Sequence, residues 1–484
     1  MKSIIFSVVF YLGLSYGNCT IGVASGSVTC DGRPLAFKTR DTSSWSLEYK
    51  VQTPSGYYAY AGNTSVGSSG VWFGLSEAGF GITQSAAYNL SGGWSGLTNS
   101  SMMNYSLELC STVDDFEDIL ISTNSSGRST AANYAVFDAY GGAAIFECAP
   151  HEYARYDTDS LGIATHGNFS YIGSSGRVGQ NRMDRAYLLM IEAISGDSLD
   201  ATFIAKHVIS DLYLTGQDPY PLPWTGIFSG LPAGWIDTGP FRETQTICNA
   251  NTHAAGIAQG VAIGENPENS VLWCIFASPV SSVLFPLFPA AYDEPPEGIG
   301  SSSAMFVACK AKYDSLFSHS SIDYWLDASY LFDSLGNGVL TYVPVIIDWA
   351  YDSVSTQLSA WTSSTPSTLD RADFQDEMTS LILAAYLSGT PLNIDEIPDI
   401  PSEICLSAYP NPFNSSCLIE LSSTFDEDKE IFVIDIAGRI SDKILLSAGS
   451  HTAHWTPTDA TPSGLYLLQI SAKKLISKRV SYIK

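Results

Sequence analysis

The chain has 484 residues, with 23 Lys and Arg against 49 Asp and Glu, and a formal net charge of −26 at neutral pH. That surplus excludes nucleic acid and anionic membrane surfaces as partners, because their phosphates would repel it. At 45% hydrophobic and 15% charged residues the composition is globular and not disordered, and the length exceeds a single core of about 250 to 300 residues, so two domains are expected.

Lys2, the apolar run Ile4 to Leu14 and the small residues Ser15 and Gly17 follow the order of a secretion signal, so residues 1–17 are expected to be a signal peptide. The run is shorter than the roughly 20 apolar residues of a spanning helix, and no later run is longer; no stable membrane insertion is expected. Gly13-Leu14-Ser15-Tyr16-Gly17 fits the GxSxG pattern of serine hydrolases, but it lies inside the signal and lacks the strand-turn-helix context that gives the pattern meaning. Cleavage after Gly17 leaves Asn18 first. A second trimming step, or a cut displaced by one residue, would place Cys19 at the amino terminus. A lipidated Cys19 is the competing reading, disfavoured by the Asn18 before it.

A terminal cysteine carries nucleophile and base together, since an α-amino group titrates near pH ~8 and can take the thiol proton. Cys19-Thr20, Thr29, Asp31-Gly32-Arg33-Pro34-Leu35 and Lys38-Thr39-Arg40-Asp41 read as two strands about a glycine turn, which returns Asp41 to the chain terminus. There its carboxylate would hold the α-amine, while Arg40 or Lys38 would lower the thiol pKa. The bland alternatives are a Cys19–Cys30 disulfide and an Arg40–Asp41 surface pair.

This arrangement resembles the amino end of the cysteine N-terminal-nucleophile amidohydrolases, the group containing choloylglycine hydrolases, acid ceramidase and isopenicillin N acyltransferase. The resemblance runs on through Ser76 to Ala86, Asn133 to Ala139, Gly141 to Ala144, Ala164 to Phe169 and Gly179 to Arg185. It implies that Gln84 stands at an oxyanion-hole asparagine, that Asn168 is a second active-site amide and that Arg182 lies near the nucleophile. The chain departs from the family at Thr39, where asparagine is usual, and at Gln84, which is longer by one methylene. His166 reads as a packed polar residue and not as a base.

Strand-like runs at Tyr134 to Phe146, Gly256 to Ile263 and Val271 to Phe276 alternate with helical stretches at Arg182 to Ala193, Leu199 to Ser210 and Arg371 to Leu387. They predict an α+β fold, and the resemblance makes it an αββα sandwich of two antiparallel sheets between helices. The aromatic stretch Tyr220 to Trp235 reads as a packed loop or as a lid over an acyl chain. Nine cysteines fit one catalytic thiol plus bridges, Cys405–Cys417 being the pair expected across a turn. No CxxC or HExxH spacing occurs, so neither metal nor cofactor is expected.

Asn393 to Pro401 is acidic and proline-punctuated, and sets a linker over residues 393–402 between an enzyme domain at 18–392 and a tail at 403–484. The tail shows short strands at Cys417 to Leu421, Glu430 to Ile436, Ala453 to Trp455 and Gly464 to Ile470, with a turn at Asp435 to Arg439, and predicts a small immunoglobulin-like β-sandwich. Tyr409-Pro410-Asn411-Pro412-Phe413-Asn414, that turn, Gly464-Leu465-Tyr466 and the end carrying Lys473, Lys474, Lys478, Arg479 and Lys484 resemble the type A sorting domain of the type IX secretion pathway.

Taken together, the resemblances imply a bacterial protein, exported through the periplasm and secreted or held at the cell surface, that engages the secretion machinery through residues 403–484. They imply a cysteine amidohydrolase or acyltransferase that cleaves a linear carboxamide of a small-molecule substrate through an acyl-enzyme on Cys19. A secreted dipeptidase of a related cysteine family and a non-catalytic binding protein on an inactive scaffold are the alternatives.

Overall fold

The structure is a computed structural model and describes residues 18–484 apart from 92, 94, 159, 214–239, 243–245, 292–299, 320–323, 328–329, 332–336, 390–405, 422–423, 426, 436–439, 459 and 472–474. The chain divides into two compact units, Met1–Pro391 and Leu392–Lys484.

In the first unit the strands are β1 (Ile21–Ala24), β2 (Leu35–Asp41), β3 (Leu47–Gln52), β4 (Tyr60–Ser65), β5 (Val71–Ser76), β6 (Gly81–Ala86), β7 (Ala132–Phe137), β8 (Ala143–Cys148), β9 (Tyr153–Asp157), β10 (Ile163–His166), β11 (Pro240–Arg242), β12 (Thr252–Gln259), β13 (Val271–Phe276), β14 (Phe285–Leu287), β15 (Phe317–His319) and β16 (Tyr324–Asp327). One sheet has the order β10-β1-β2-β12-β13-β14 and a second is the sequential meander β3 to β9; β11, β16 and β15 form a third, small sheet. Every pairing within them is antiparallel.

The two large sheets stack, with β2 against β6 and β1 against β7. Gly256 on β12 allows this approach, because a Cβ there would stand 2.0 Å from the Phe73 ring of β5. Strands buried on both faces read as continuous apolar runs, as β13 does in Val-Leu-Trp-Cys-Ile-Phe.

Helices cover the outer faces. Helices α1 (Asn99–Leu109) and α2 (Val113–Asn124) pack on the meander and bury Met102, Met103, Leu107 and Phe116 against Tyr134 and Phe146. Both begin with capping boxes, Thr98 with Ser101 and Thr112 with Asp115, which satisfy the first free N–H groups of each helix. Helix α3 (Gln180–Ser195) lies against β10, and α4 (Ala201–Phe203) runs on into a π-helical turn at Ile204–Val208. Helices α5 (Ala304–Leu316) and α7 (Thr368–Ser388) reach β13 and β14, with α6 (Val343–Ser363) packed on α7. The unit is therefore an αββα sandwich of α+β class.

The strand-like run expected at Tyr134 to Phe146 is split into the hairpin β7–β8 by a turn closed by the Asp138 N–H to Gly142 O bond, and the expected helix at Arg182 to Ala193 is α3, longer by two residues at each end. The strand expected at Gly256 to Ile263 is instead β12, Thr252–Gln259; the Gly260 N–H still bonds Pro34 O at 2.8 Å, and the chain then turns at Ile263-Gly264, where Gly264 takes φ 93°. Cys19 and Cys30 are free thiols, which removes the bridge between them; the Cys30 N–H is tied to Leu199 O at 3.0 Å. Cys405, the 393–402 linker, the Tyr220 to Trp235 stretch and residues 436–439 of the tail turn lie outside the described residues.

The second unit packs β17 (Leu406–Tyr409), β18 (Cys417–Leu421) and β21 (Thr452–Trp455) as one sheet. The other sheet has the order β20 (Ile440–Leu446), β19 (Lys429–Asp435), β22 (Gly464–Ser471), β23 (Leu475–Tyr482). Its core holds Phe413, Trp455, Leu468, Tyr466 and Tyr482, with the Phe413 and Trp455 rings 5.3 Å apart and edge-on. Phe413 is the buried aromatic of the Tyr409 to Asn414 motif, and its N–H bonds Ser481 O at 2.9 Å. Among the described residues no helix is long and apolar enough to cross a membrane.

Candidate active site

The β1–β2 hairpin sets Ile21 opposite Lys38. Just before β1, Thr20 and Thr39 continue the pairing in a modified form: Thr39 N–H donates to Thr20 O at 3.0 Å, but Thr20 N–H goes to the Thr39 hydroxyl, also at 3.0 Å. Thr39 thus anchors the residue that follows Cys19. Cys19 itself is partly exposed, at the head of the first strand, while its neighbours along the sheet are buried.

Asp41 ends β2 and is buried. Its carboxylate accepts Asn249 Nδ2 at 2.6 Å and the Thr252 hydroxyl at 2.7 Å. Burial pushes the carboxyl up, and the two hydrogen bonds and the Arg182 and Lys38 charges offset this only in part. Thr252 arrives because β12 pairs with β2 in a register that puts Thr252 opposite Asp41.

Arg182 is 4% exposed and gathers the remaining groups. Its Nε donates to the Thr20 hydroxyl at 3.3 Å and its Nη2 to Asn168 Oδ1 at 2.9 Å. Burial lowers its pKa, opposed by the charges of Asp41 and Cys19. Gly179 begins α3 at φ 81°, and a Cβ there would sit 2.4 Å from Arg182 Nη2, so the position needs glycine for backbone and for space. The Asn168 Nδ2 donates to Ala86 O at 3.1 Å, which leaves one of its two N–H bonds for a ligand.

Lys38 and Arg40 point into the interface between the sheets but diverge. Lys38 Nζ donates to Gln84 O on β6 at 2.5 Å. Arg40 donates to Asn63 Oδ1 at 2.5 Å, Thr64 O at 3.0 Å and the Ser65 hydroxyl at 2.8 Å, and lies 5.1 Å over the Trp72 ring. Burial draws the Arg40 guanidinium down to about 10, against the charges of Cys19 and Tyr49. Gln84 is 2% exposed, and its Oε1 is buried with no hydrogen-bond partner in the protein.

Cys19, Asp41, Asn168 and Arg182 therefore share one cluster; Arg40 borders it from the β4 side and Gln84 from the β6 side. Asn249 and Thr252 belong to the cluster and were not singled out in the sequence; the only local signal is a polar Asn249-Ala250-Asn251-Thr252 turn entering a strand. Among the described residues no group of His, Cys, Asp and Glu could hold a metal ion.

The architecture is an αββα sandwich with a cysteine heading its first strand and a buried Asp–Arg–Asn cluster around it. Residues 407–483 match the family model of the secretion system C-terminal sorting domain. That domain marks the protein for export to the cell surface or medium and for engagement by the secretion machinery. A comparison with curated protein sequences returns no match. Among solved structures the chain is similar to a mutant conjugated bile acid hydrolase from Clostridium perfringens, at 11% identity over 56% of this chain and 92% of that one, with a TM-score of 0.35. It is also similar to penicillin V acylase from Agrobacterium tumefaciens, at 12% identity over 56% and 86% with a TM-score of 0.31. The Caenorhabditis elegans ortholog of N-acylethanolamine-hydrolyzing acid amidase is similar at 15% identity over 41% and 88%, with a TM-score of 0.32.

Proposed function

We propose that the protein is an exported cysteine amidohydrolase or acyltransferase, with residues 18–392 as the enzyme and residues 403–484 as its sorting domain. The observation that carries this reading is the convergence of Arg182 on Thr20, Asn168 and Asp41 beside a partly exposed Cys19.

Removal of the chain through Asn18 frees the Cys19 α-amine, which takes the thiol proton as the sulfur attacks a carboxamide carbon. Asp41 orients that amine, and Arg182, bonded to the Thr20 hydroxyl, holds the strand that carries Cys19. The oxyanion is received by the Gln84 side chain, the free N–H of Asn168 and backbone N–H groups. The C–N bond then breaks, the α-ammonium returns its proton to the leaving amine, and the acyl group stays on sulfur. Water, or an acceptor amine, attacks the thioester and restores Cys19.

The test is an intact-mass measurement on the mature protein incubated with aliphatic-acyl, aryl-acyl and aminoacyl amides. A supporting result is an acyl adduct on Cys19 that hydroxylamine removes, with adduct and turnover both lost in Cys19→Ala. Wild-type turnover in Cys19→Ala would rule the reading out, and turnover confined to dipeptides would make the enzyme a dipeptidase.

A further inference from the structure

A second buried polar cluster lies next to the site. Glu147 on β8 is 0% exposed and His166, the last residue of β10, is 3% exposed. His166 Nε2 and Glu147 Oε1 are 2.8 Å apart, a bond that joins the two stacked sheets. The tautomer follows from the other ring nitrogen. Gly167 N–H points at Nδ1 at 3.0 Å and Asn133 Nδ2 at 3.4 Å, so Nδ1 accepts and Nε2 carries the proton donated to Glu147.

Glu147 also accepts the backbone N–H of Tyr171 at 2.7 Å and of Ile172 at 3.0 Å. Burial raises its carboxyl, but the bonds from His166, Tyr171 and Ile172 outweigh that and hold it below the usual carboxylate range. Asn133 on β7 holds the same loop from another strand, donating to Gly167 O at 3.2 Å and Phe169 O at 2.8 Å and accepting the Ser170 hydroxyl at 2.6 Å. Ser85, next to Gln84, donates to Gly167 O at 2.6 Å.

Resting on the reading of Cys19 as nucleophile, we propose that Glu147, His166 and Asn133 are positioning residues for the reaction: they pin residues 167–172 between the sheets and so hold Asn168, and through it Arg182, in register with Cys19. Three side chains of one sheet and one of the other bind the peptide groups on either side of Asn168, and none of them belongs to the cluster around Cys19. An ionised carboxylate buried at such cost is retained where it fixes geometry, and a displacement of about 1 Å at a reacting site lowers a rate up to ~100-fold.

The experiment uses the mature full chain, a panel of N-acyl-aminocoumarin amides as substrate, and iodoacetamide as a probe of Cys19, followed residue by residue with exposed Cys30 as internal reference. Glu147→Gln keeps the volume but turns one of the two acceptor oxygens into a donor, so Tyr171 and Ile172 can no longer both be held by that side chain. It is expected to fold with a lowered melting temperature, to lower kcat roughly tenfold or more at nearly constant KM, and to slow alkylation of Cys19 but not of Cys30. His166→Gln, whose amide N–H replaces the Nε2 donor, is expected to stay near wild type, while His166→Leu behaves as Glu147→Gln. If Glu147→Gln does not fold, Ser85→Ala, which removes one bond to Gly167, is expected to give the same split at smaller size. Folded variants with wild-type kcat and wild-type Cys19 alkylation would overturn the proposal. Should the wild-type protein cleave none of the amides while Glu147→Gln still slows Cys19 alkylation, the positioning role stands and the amidase reading fails.

Discussion

Thr39 receives the Thr20 N–H on its hydroxyl and returns its own N–H to the Thr20 carbonyl, both at 3.0 Å. Thr39 therefore has a defined partner, and the strand that presents Cys19 is held by a side chain where a main-chain carbonyl would ordinarily serve. Replacing Thr39 by Val keeps the shape and leaves a buried N–H unpaired. A loss of about 1–3 kcal/mol in stability is expected, with reduced turnover, while Thr39→Ser retains both. Denaturant unfolding of the two variants checks this, and equal stability of Thr39→Val and wild type would contradict it.

Asp41→Asn separates the orienting role from packing. The carboxylate is buried and held by Asn249 and Thr252, so an amide of the same size fits the space without the charge. Turnover is expected to fall by ~10²–10⁴, through loss of the group that orients the α-amine. Stability should change little, because the buried charge disappears with its desolvation cost. An unchanged turnover number would leave Asp41 as a structural residue.

A pH effect is expected at His207, on the π-helical turn. Burial, aided by the Lys206 charge and opposed by Asp348, brings its pKa down from 6.5 to about 4. A histidine depressed in the folded state binds its proton more readily when unfolded, so its contribution is fully present above pH 6.5 and is lost as the pH falls toward 4, at up to ~1.4 kcal/mol per unit. Melting temperature against pH, measured for wild type and His207→Gln, should show a steeper acid-side decline in wild type. Parallel curves would remove His207 as the cause.

The tail closes its own core around Phe413, Trp455, Tyr466 and Tyr482. A chain ending at residue 392 is expected to fold, keep amide turnover and remain in the periplasm of the native host. Its normal appearance in the medium would show that residues 403–484 do not direct sorting in this protein.

The hairpin β7–β8, helix α3 and strand β13 were legible because a glycine turn, a 3.6-residue period or an unbroken apolar run marks each within a short window. Helix α1 was not, since Asn-Ser-Ser-Met-Met-Asn-Tyr-Ser-Leu-Glu-Leu carries little periodicity, and its support comes from the Thr98 cap and from packing on β5. Lys38 and Arg40 stood as equivalents in the sequence. They diverge only because β6 lies across from the one and β4 from the other, a fact of sheet stacking that no local pattern records. Asn249 was illegible for the same reason: it reaches Asp41 across 208 residues, through the pairing of β12 with β2.

The thiols have a consequence for a protein that matures outside the cytoplasm. Cys110, Cys148, Cys274 and Cys309 are buried, and burial raises each of them, Cys309 to about 12. Cys30 is exposed, yet desolvation and then the Asp200 and Asp31 charges bring it to about 11. A thiol kept protonated reacts slowly with disulfides and electrophiles, and only an exposed one such as Cys30 is reached by reagent at all. Among the described residues the core thiols are thereby chemically quiet in an oxidising medium, and a thiol-reactive inhibitor added from outside would reach partly exposed Cys19, at the head of the first strand, before it reached them.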